Sequence, residues 1–315
     1  MSRKYKEIII LLFFLLTIFK LYIFTMLPVF KNNDSPETTT SAYTLGIGHP
    51  PGYPLFILVG KIFTLLPVAS PGFRMNMFAS FIAAIVLLLS FYLIKQNVHI
   101  VFDSKNNTIV YLSVFVLAFS CIFWNQAIEA KGGIYILNLL FFVILLYLCI
   151  KLLKGFNIKY LYLMSFIYGI SLTNHWPSII ILLPIFGYFF LKYYYKLNSK
   201  NIYYTILFLI LGISPYIYLP IRTGTNGIFI FMAKPDTWEN FWWMIFRSGY
   251  TDMPAPSIDV YKYQIKEFFN IFFNNFSYLW ILIFFGIYSI WKKNKEIFFI
   301  IFTNAGLLER NTIFK

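Results

Sequence analysis

The chain has 315 residues, of which 59% are hydrophobic and 12% are charged, and its formal net charge is +14. Soluble domains carry about 25% charged residues, and a soluble core cannot bury this much apolar surface. The composition therefore excludes an ordinary soluble protein and indicates a membrane protein. The basic residues lie singly or in small clusters between apolar runs, which favours a role in membrane topology over nucleic-acid binding. No nucleic-acid partner is predicted.

Apolar runs follow one another along the whole chain, and a bilayer core takes about 20 helical residues. The candidate spans are 8–28, 73–94, 108–123, 134–150, 160–173, 177–191, 202–221, 276–291 and 296–308. The first run follows a basic heptapeptide but lacks a cleavage site, so we interpret it as an uncleaved span. We predict an all-α polytopic membrane protein, a single transmembrane domain over 1–315, with about eight or nine spans.

Lys and Arg are distributed unevenly between the loops. With a cytoplasmic N-terminus, the inner segments carry 14 of them in 42 residues, whereas the outer segments carry 8 in 110. The region 160–191 is either two spans or one bent helix, and the positive-inside rule favours two, because one span would move three lysines outside. This orientation places two long loops, 29–72 and 222–275, on the outer face together with most candidate functional residues.

The stretch GIGHPPGYPLF, residues 46–56, interrupts the first outer loop. Proline fixes φ and excludes the preceding residue from a helix, and glycine allows close backbone approach, so the stretch predicts a rigid corner. The corner comprises His49, Pro50, Pro51, Gly52, Tyr53 and Pro54. The apolar segment after it is about 21 Å long if helical, too short to span comfortably, and is expected to lie in the interface or to re-enter. A plain turn before such a helix is the alternative.

The longer stretch DSPETTTSAYTLGIGHPPGYPLF resembles the signature D-S-G-E-F…A-x-x-L-G-I-A-H-P-P-G-Y-P-L-Y of a membrane family related to protein O-mannosyltransferases, within the GT-C glycosyltransferase superfamily. Further motifs match in the expected order: WNQAIEAKGGIYILNLLF, GISLTNHWPSIIILLP, SPYIYLPIR and KPDTWENFWWMIFRSGY. The resemblance covers most of residues 8–255. It implies a GT-C-like helix bundle that transfers a sugar, mannose by expectation, from a polyprenyl-phosphate donor to an acceptor protein or glycan, with inversion. A bacterial plasma membrane, with the active site on its outer face, is the expected location.

The chain departs from the family pattern at two points. Gly133, Ile134 and Tyr135 stand where the family often has Glu-Val-Tyr, so the role of that Glu is either absent or taken by Glu129. The chain also ends soon after its last apolar run, where relatives commonly continue, which leaves a shortened or truncated member as an alternative.

The resemblance assigns catalysis to the first outer loop. Asp34 matches the acidic residue that activates the acceptor, where a carboxylate would remove the hydroxyl proton as the glycosidic bond forms. Glu37 also matches and could orient the acceptor. A plain loop or capping role is the alternative for Asp34.

Donor binding needs a cation for the phosphate that leaves. Arg222 suits this task because its planar guanidinium bonds phosphate oxygens in pairs, although an Arg at a helix end can instead reach lipid headgroups. Lys131 and His175 are further donor candidates, and His49 and His175 could instead be structural, in a corner and a helix cap respectively. No metal signature is present; a divalent cation held by Asp34, Glu37 and a His is left open, and no cofactor is predicted.

The segment 236–248 places its large apolar side chains at helical spacing and is predicted to form an amphipathic interfacial helix. Two other functions fit a polytopic chain. A lipid or solute transporter would place ionisable residues at the membrane midplane and repeat its topology. Here Lys20 is the charge well inside a span, and no repeat is evident. An inactive truncated scaffold is the third possibility.

Overall fold

The computed structural model describes residues 3–30, 34–102, 107–250, 257–276 and 280–300. These ranges are mainly helical. The α-helices are α1 (Arg3–Thr25), α2 (Ser35–Thr44), α3 (Pro54–Thr64), α4 (Pro71–Phe102), α5 (Thr108–Phe119), α6 (Cys121–Ala127), α7 (Ala130–Lys154), α8 (Ile158–Ile179), α9 (Leu183–Tyr193), α10 (Ser199–Ile213), α11 (Tyr218–Thr223), α12 (Trp238–Phe246), α13 (Ile258–Phe276) and α14 (Trp280–Lys293). The prediction of an all-α polytopic membrane protein is confirmed.

Five helical segments of the described chain are long and apolar enough to cross a membrane, or seven if each of two bent helix pairs forms one span. The sequence predicted eight or nine. The difference arises in part because residues 158–196, which contain α8 and α9, are counted as one segment of 39 residues despite a backbone break at His175, and α5 and α6 form one of the bent pairs. The last predicted span, 296–308, lies outside the described residues from position 301 onward.

The chain reverses direction at His175, where the backbone leaves the helical region (φ −152°, ψ 83°). Tyr193, at the end of α9, donates a hydrogen bond to the Leu152 carbonyl at 2.6 Å, and its ring lies 4.8 Å from that of Phe156. Both partners lie just before α8, so α9 returns to the end of the bundle where α8 starts. These contacts favour two antiparallel helices over one bent span.

The helix α10 then runs parallel to α8. Tyr162, near the start of α8, donates to Asn201 at 2.9 Å, and the Tyr216 hydroxyl, beyond the end of α10, donates to the Leu172 carbonyl at 2.9 Å. Between these points Gly169 and Gly212 face each other, and a Cβ on Gly169 would lie 2.4 Å from a carbonyl oxygen of α10. The two glycines therefore let α8 and α10 approach each other closely. As a result, α11 begins at the end of the helix bundle where His175 lies.

The acidic part of the segment 29–72 is helical, which was not predicted from the sequence. Asp34 is the N-cap of α2, Pro36 occupies its first turn, and Glu37 lies in the same turn. A polar residue followed by proline and an early glutamate is a helix-start pattern that could have revealed this element. As a result, Asp34 and Glu37 project from a fixed helix end.

The corner 46–53 links α2 to α3 and is held by residues from the region 218–230. Ile47 forms a parallel β-bridge with Ile230, and the Tyr218 hydroxyl donates to the Gly46 carbonyl at 2.8 Å. Gly52 has φ +85°, a conformation that strains other residues, and a Cβ there would lie 3.0 Å from Leu219. The peptide between Pro50 and Pro51 is cis. The predicted corner is observed as this turn between α2 and α3.

Candidate active site

The start of α2 presents two carboxylates in different environments. The Asp34 side chain is 38% exposed, whereas that of Glu37 is 9% exposed. A small molecule arriving from solvent can therefore reach the Asp34 carboxylate, while Glu37 lies beneath the surface.

Glu37 binds the corner through His49. Its carboxylate accepts the backbone N–H of His49 at 2.7 Å and lies 2.7 Å from Nδ1 of the same residue. Because an ionised carboxylate only accepts hydrogen bonds, the Nδ1 proton belongs on His49, and Nε2 is left to accept the Tyr53 hydroxyl at 2.6 Å. Burial raises the pKa of the Tyr53 phenol well above its usual range, so this hydroxyl stays protonated at neutral pH. The carboxylate of Glu37 thus orients an imidazole and, through it, a phenol.

Lys131 contacts both Asp34 and the pair formed by His49 and Tyr53. Its Nζ lies 3.0 Å from Asp34 Oδ2, 3.3 Å from His49 Nε2, and 4.9 Å from the centroid of the Tyr53 ring. The Lys131 side chain is only 6% exposed, so its charge is held in place by these partners. The result is a buried ammonium group beside a solvent-accessible carboxylate.

The rings of Tyr53, His175 and Tyr135 pack against one another beside Lys131. The rings of Tyr53 and His175 are stacked with centroids 5.8 Å apart, and the Tyr135 ring lies edge-on to His175 at 5.7 Å. His175 is fixed by its break in α8 and by an Nδ1 contact of 2.7 Å with Ser178. The structure thus brings His175 to the site through ring contacts with Tyr53.

Glu129, the N-cap of α7, forms a hydrogen bond with the start of α2. It accepts the Ser35 hydroxyl at 2.8 Å, and the neighbouring backbone N–H of Ala130 donates to Asn76 at 2.8 Å. The first bond joins the start of α2, next to Asp34, to the start of α7, next to Lys131, and the second bond ties α7 to α4.

Arg222 does not join this cluster of side chains. Its Nε donates to the Leu45 carbonyl at 2.7 Å and a terminal nitrogen donates to the Thr44 carbonyl at 3.2 Å. These are unsatisfied carbonyls at the C-terminal end of α2, where a cation is favourable. The guanidinium therefore holds the far end of the helix that carries Asp34, and its role in phosphate binding stays a prediction.

Two residues near the site were not singled out from the sequence. Arg247 and Tyr250 follow α12, with the Arg247 guanidinium 4.6 Å from the centroid of the Tyr250 ring. The predicted amphipathic helix is observed as α12, with Met244 and Ile245 buried and Trp238 exposed. Arg247 and Tyr250 lie at the end of the motif KPDTWENFWWMIFRSGY, and that position is the sequence signal that could have identified them. Within the described ranges, no group of three His, Cys, Asp or Glu residues is arranged to hold a metal ion.

Residues 34–201, more than half of the chain, match the family model described as the protein O-mannosyl-transferase TMEM260 N-terminal domain. The chain belongs to this family. The matched region contains Asp34, Glu37, His49, Lys131 and His175, so every member of the cluster lies inside the family domain. The segments that carry Arg222 and Arg247 lie beyond it.

Two relatives are named protein O-mannosyl-transferase TMEM260. The mouse protein is 27% identical over 227 residues, covering 69% of this chain and 31% of its own length. The Dictyostelium discoideum protein is 26% identical over 255 residues, covering 74% of this chain and 29% of its own. The chain thus spans about a third of the length of these relatives. Both are eukaryotic, which contradicts the expected bacterial plasma membrane. No solved structure matches this chain.

Proposed function

We propose that this protein transfers mannose from a polyprenyl-phosphate donor to a hydroxyl group of a protein acceptor. The sugar and the acceptor class are proposed from the name of the two relatives, protein O-mannosyl-transferase. The polyprenyl-phosphate donor and a GT-C-like mechanism rest on the sequence resemblance. The observation that carries the proposal is the exposed Asp34 carboxylate, 3.0 Å from the buried Lys131 ammonium.

In the proposed step the acceptor oxygen attacks C1 of the mannosyl group while the bond from C1 to the phosphate oxygen breaks. The hydroxyl proton passes to Asp34, and the bonding electron pair leaves with the polyprenyl phosphate. Lys131 lies next to Asp34 and is the cation of this cluster that can stabilise the charge developing on phosphate. A single displacement of this kind inverts the configuration at C1.

The other two carboxylates, Glu37 and Glu129, are given other tasks. Both oxygens of the buried Glu37 contact His49, and the half-buried Glu129 accepts a hydrogen bond from Ser35, whereas the Asp34 carboxylate is 38% exposed beside Lys131. Glu37 and His49 hold Tyr53 and Lys131 in position, which corresponds to orienting the acceptor site. A single displacement with Asp34 as the base assigns neither Glu37 nor Glu129 as a nucleophile, and it corresponds to inversion.

We place the site on the outer face of the membrane, because the asymmetry of basic residues directs the loops that form it outward. The test uses the full chain reconstituted in liposomes with a radiolabelled polyprenyl-phosphate mannose and a Ser/Thr-rich peptide. We expect label in the peptide and an α-linked product from a β-linked donor. Absence of transfer from every polyprenyl-phosphate mannose tested, with the protein folded, would refute the proposal.

A further inference from the structure

Arg247 occupies an unusual backbone position at the end of α12. It is the C-cap of that helix and has φ +58°, in the left-handed region that non-glycine residues adopt uncommonly. Strained positions of this kind persist when the surrounding structure fixes them, and they are enriched at ligand sites. The side chain lies against the ring of Tyr250, with its guanidinium carbon 4.6 Å from the centroid.

The end of α12 is attached to the candidate active site. The Trp176 indole donates to the Ile245 carbonyl at 2.7 Å, two residues before Arg247. Trp176 directly follows His175, which stacks on Tyr53. Phe231, from the loop before α12, places its ring 6.3 Å from that of His49. Two contacts therefore attach the segment that carries Arg247 to the site. Phe231, before α12, contacts His49, and Ile245, near the end of α12, accepts a hydrogen bond from the residue after His175.

The electrostatics agree with this proximity. Burial raises the pKa of the Tyr250 phenol, and the Arg247 charge opposes this effect while the charges of Glu37 and Asp34 add to it. Burial also raises the pKa of Tyr53, where Arg247 again opposes and Glu37 adds. The Arg247 charge thus lowers the pKa of two phenols, Tyr53 and Tyr250, and the Glu37 charge raises the pKa of the same two groups.

The hydrogen bonds of Arg247 are incomplete. Its Nε is buried and has no partner among the described residues, and no described carboxylate forms an ion pair with it. Arg74 and Arg222 differ in this respect, because the Nε of each donates to a backbone carbonyl at 2.7 Å. A buried donor without an acceptor is costly, and a charged one more so, which indicates that an anion completes this position.

We infer that Arg247 binds the phosphate group of the lipid-linked sugar donor, an inference that rests on the function proposed above. A guanidinium bonds two phosphate oxygens at once, and Nε is one of the donors with which it does so. Lys131 and Arg247 then contribute cations from two different elements, α7 and the end of α12. The phosphate lies between them, and the mannosyl group lies toward Asp34.

The experiment measures binding separately from transfer. Purified full-length chain in nanodiscs is titrated with farnesyl phosphate and, in parallel, with farnesol, which has the same tail and lacks the phosphate. The variants are Arg247→Gln, Arg247→Lys and the control Lys234→Gln. The control removes one positive charge from an exposed side chain of the same loop, paired with Asp236 at 3.7 Å.

We expect the wild-type protein and Lys234→Gln to bind farnesyl phosphate equally, within about twofold, and more tightly than farnesol. Arg247→Gln should weaken farnesyl phosphate binding by about tenfold or more and leave farnesol binding unchanged, the scale of a lost charged hydrogen bond. Equal affinity of Arg247→Gln and wild type, or no wild-type preference for the phosphate, would overturn the inference. If Arg247→Gln does not fold, Arg247→Lys decides: a loss of several-fold supports paired bonding, and unchanged affinity opposes it.

A competition experiment with phosphatidic acid tests whether Arg247 binds a bilayer headgroup or the sugar donor. Competition by phosphatidic acid as strong as that by farnesyl phosphate would make Arg247 a headgroup contact and overturn the assignment. Transfer assays separate this inference from the proposed function. Arg247-dependent binding without any mannose transfer refutes the function and leaves the phosphate site standing. Normal transfer by Arg247→Gln, with an unchanged donor KM, refutes the site and leaves the function standing.

Discussion

Replacing Asp34 with Asn removes a proton acceptor while it keeps nearly all of the side-chain shape. The Asp34 carboxylate is 38% exposed and its inward contact in the cluster is the Lys131 ammonium at 3.0 Å. In the proposed reaction Asp34 takes the proton of the acceptor hydroxyl, a task that an amide cannot perform. The substitution therefore separates the chemistry of this position from its packing.

The two expected effects differ in size. Loss of a general base lowers turnover by about 10²-fold to 10⁴-fold, which corresponds to at least about 2.7 kcal/mol in activation free energy. An ion pair with a partly exposed partner contributes about 0–1 kcal/mol to stability, and water can replace the Asp34 oxygen beside Lys131. We expect turnover to fall by at least about 10²-fold while the free energy of unfolding changes by about 1 kcal/mol or less.

The assay compares mannose transfer and thermal unfolding for Asp34→Asn, Glu37→Gln and the control Asp236→Asn. Asp236 is a matched control because its side chain is 41% exposed and pairs with Lys234 in the last outer loop, outside the cluster. Farnesyl phosphate affinity should be unchanged in Asp34→Asn, because the inferred phosphate contacts lie on Lys131 and Arg247.

Three results would contradict this reasoning. Near-normal transfer by Asp34→Asn together with abolished transfer by a folded Glu37→Gln would make Glu37 the base. Activity in both variants would refute the carboxylate mechanism altogether. An equal loss of transfer in Asp236→Asn would show that the effect is not specific to the site.

Glu37→Gln should lower the free energy of unfolding by about 3 kcal/mol in chemical denaturation, because a buried carboxylate that accepts two donors of one histidine is replaced by a neutral amide. Gly52→Ala should lower it by about 1–2 kcal/mol, since φ is +85° there and a Cβ meets a leucine at 3.0 Å. Arg222→Lys should lower the melting temperature with an unchanged donor KM; a raised KM at unchanged stability would instead support the predicted phosphate role. In a cysteine-free background, Ser257→Cys should react with an impermeant thiol reagent from outside and Ser199→Cys should not; both positions are exposed, and labelling of the latter would refute the predicted orientation.

The sequence by itself determined the class of this protein and much of its local structure. Apolar runs of helical length, broken by basic segments, are sufficient to predict a helical membrane protein, because bilayer thickness and backbone hydrogen bonding leave few alternatives. The corner at residues 46–56 and the helix α12 were also predictable, since proline, glycine and the 3.6-residue period act over short distances. The first turn of α2 was missed although its Pro36 and Glu37 carry a local signal.

The division of roles among charged residues required the tertiary structure. Asp34 and Glu37 are three positions apart on one helix, yet one is exposed and the other is buried against His49, because the corner folds over only one of them. Nothing in the local sequence encodes that difference, which depends on where the chain returns twelve residues later.

The arginines show the same limit over a longer range. Arg222, two residues after a proline at a helix end, was predicted to bind phosphate, and the fold brings its donors to carbonyls that lie 177 and 178 residues earlier in the chain. Arg247 lies at the end of the predicted interfacial helix, and its buried Nε, next to the Tyr250 ring, has no partner among the described residues. A guanidinium has the same chemistry at both positions. What it binds is decided by the acceptors that distant segments bring to it, and that information exists only in the folded chain.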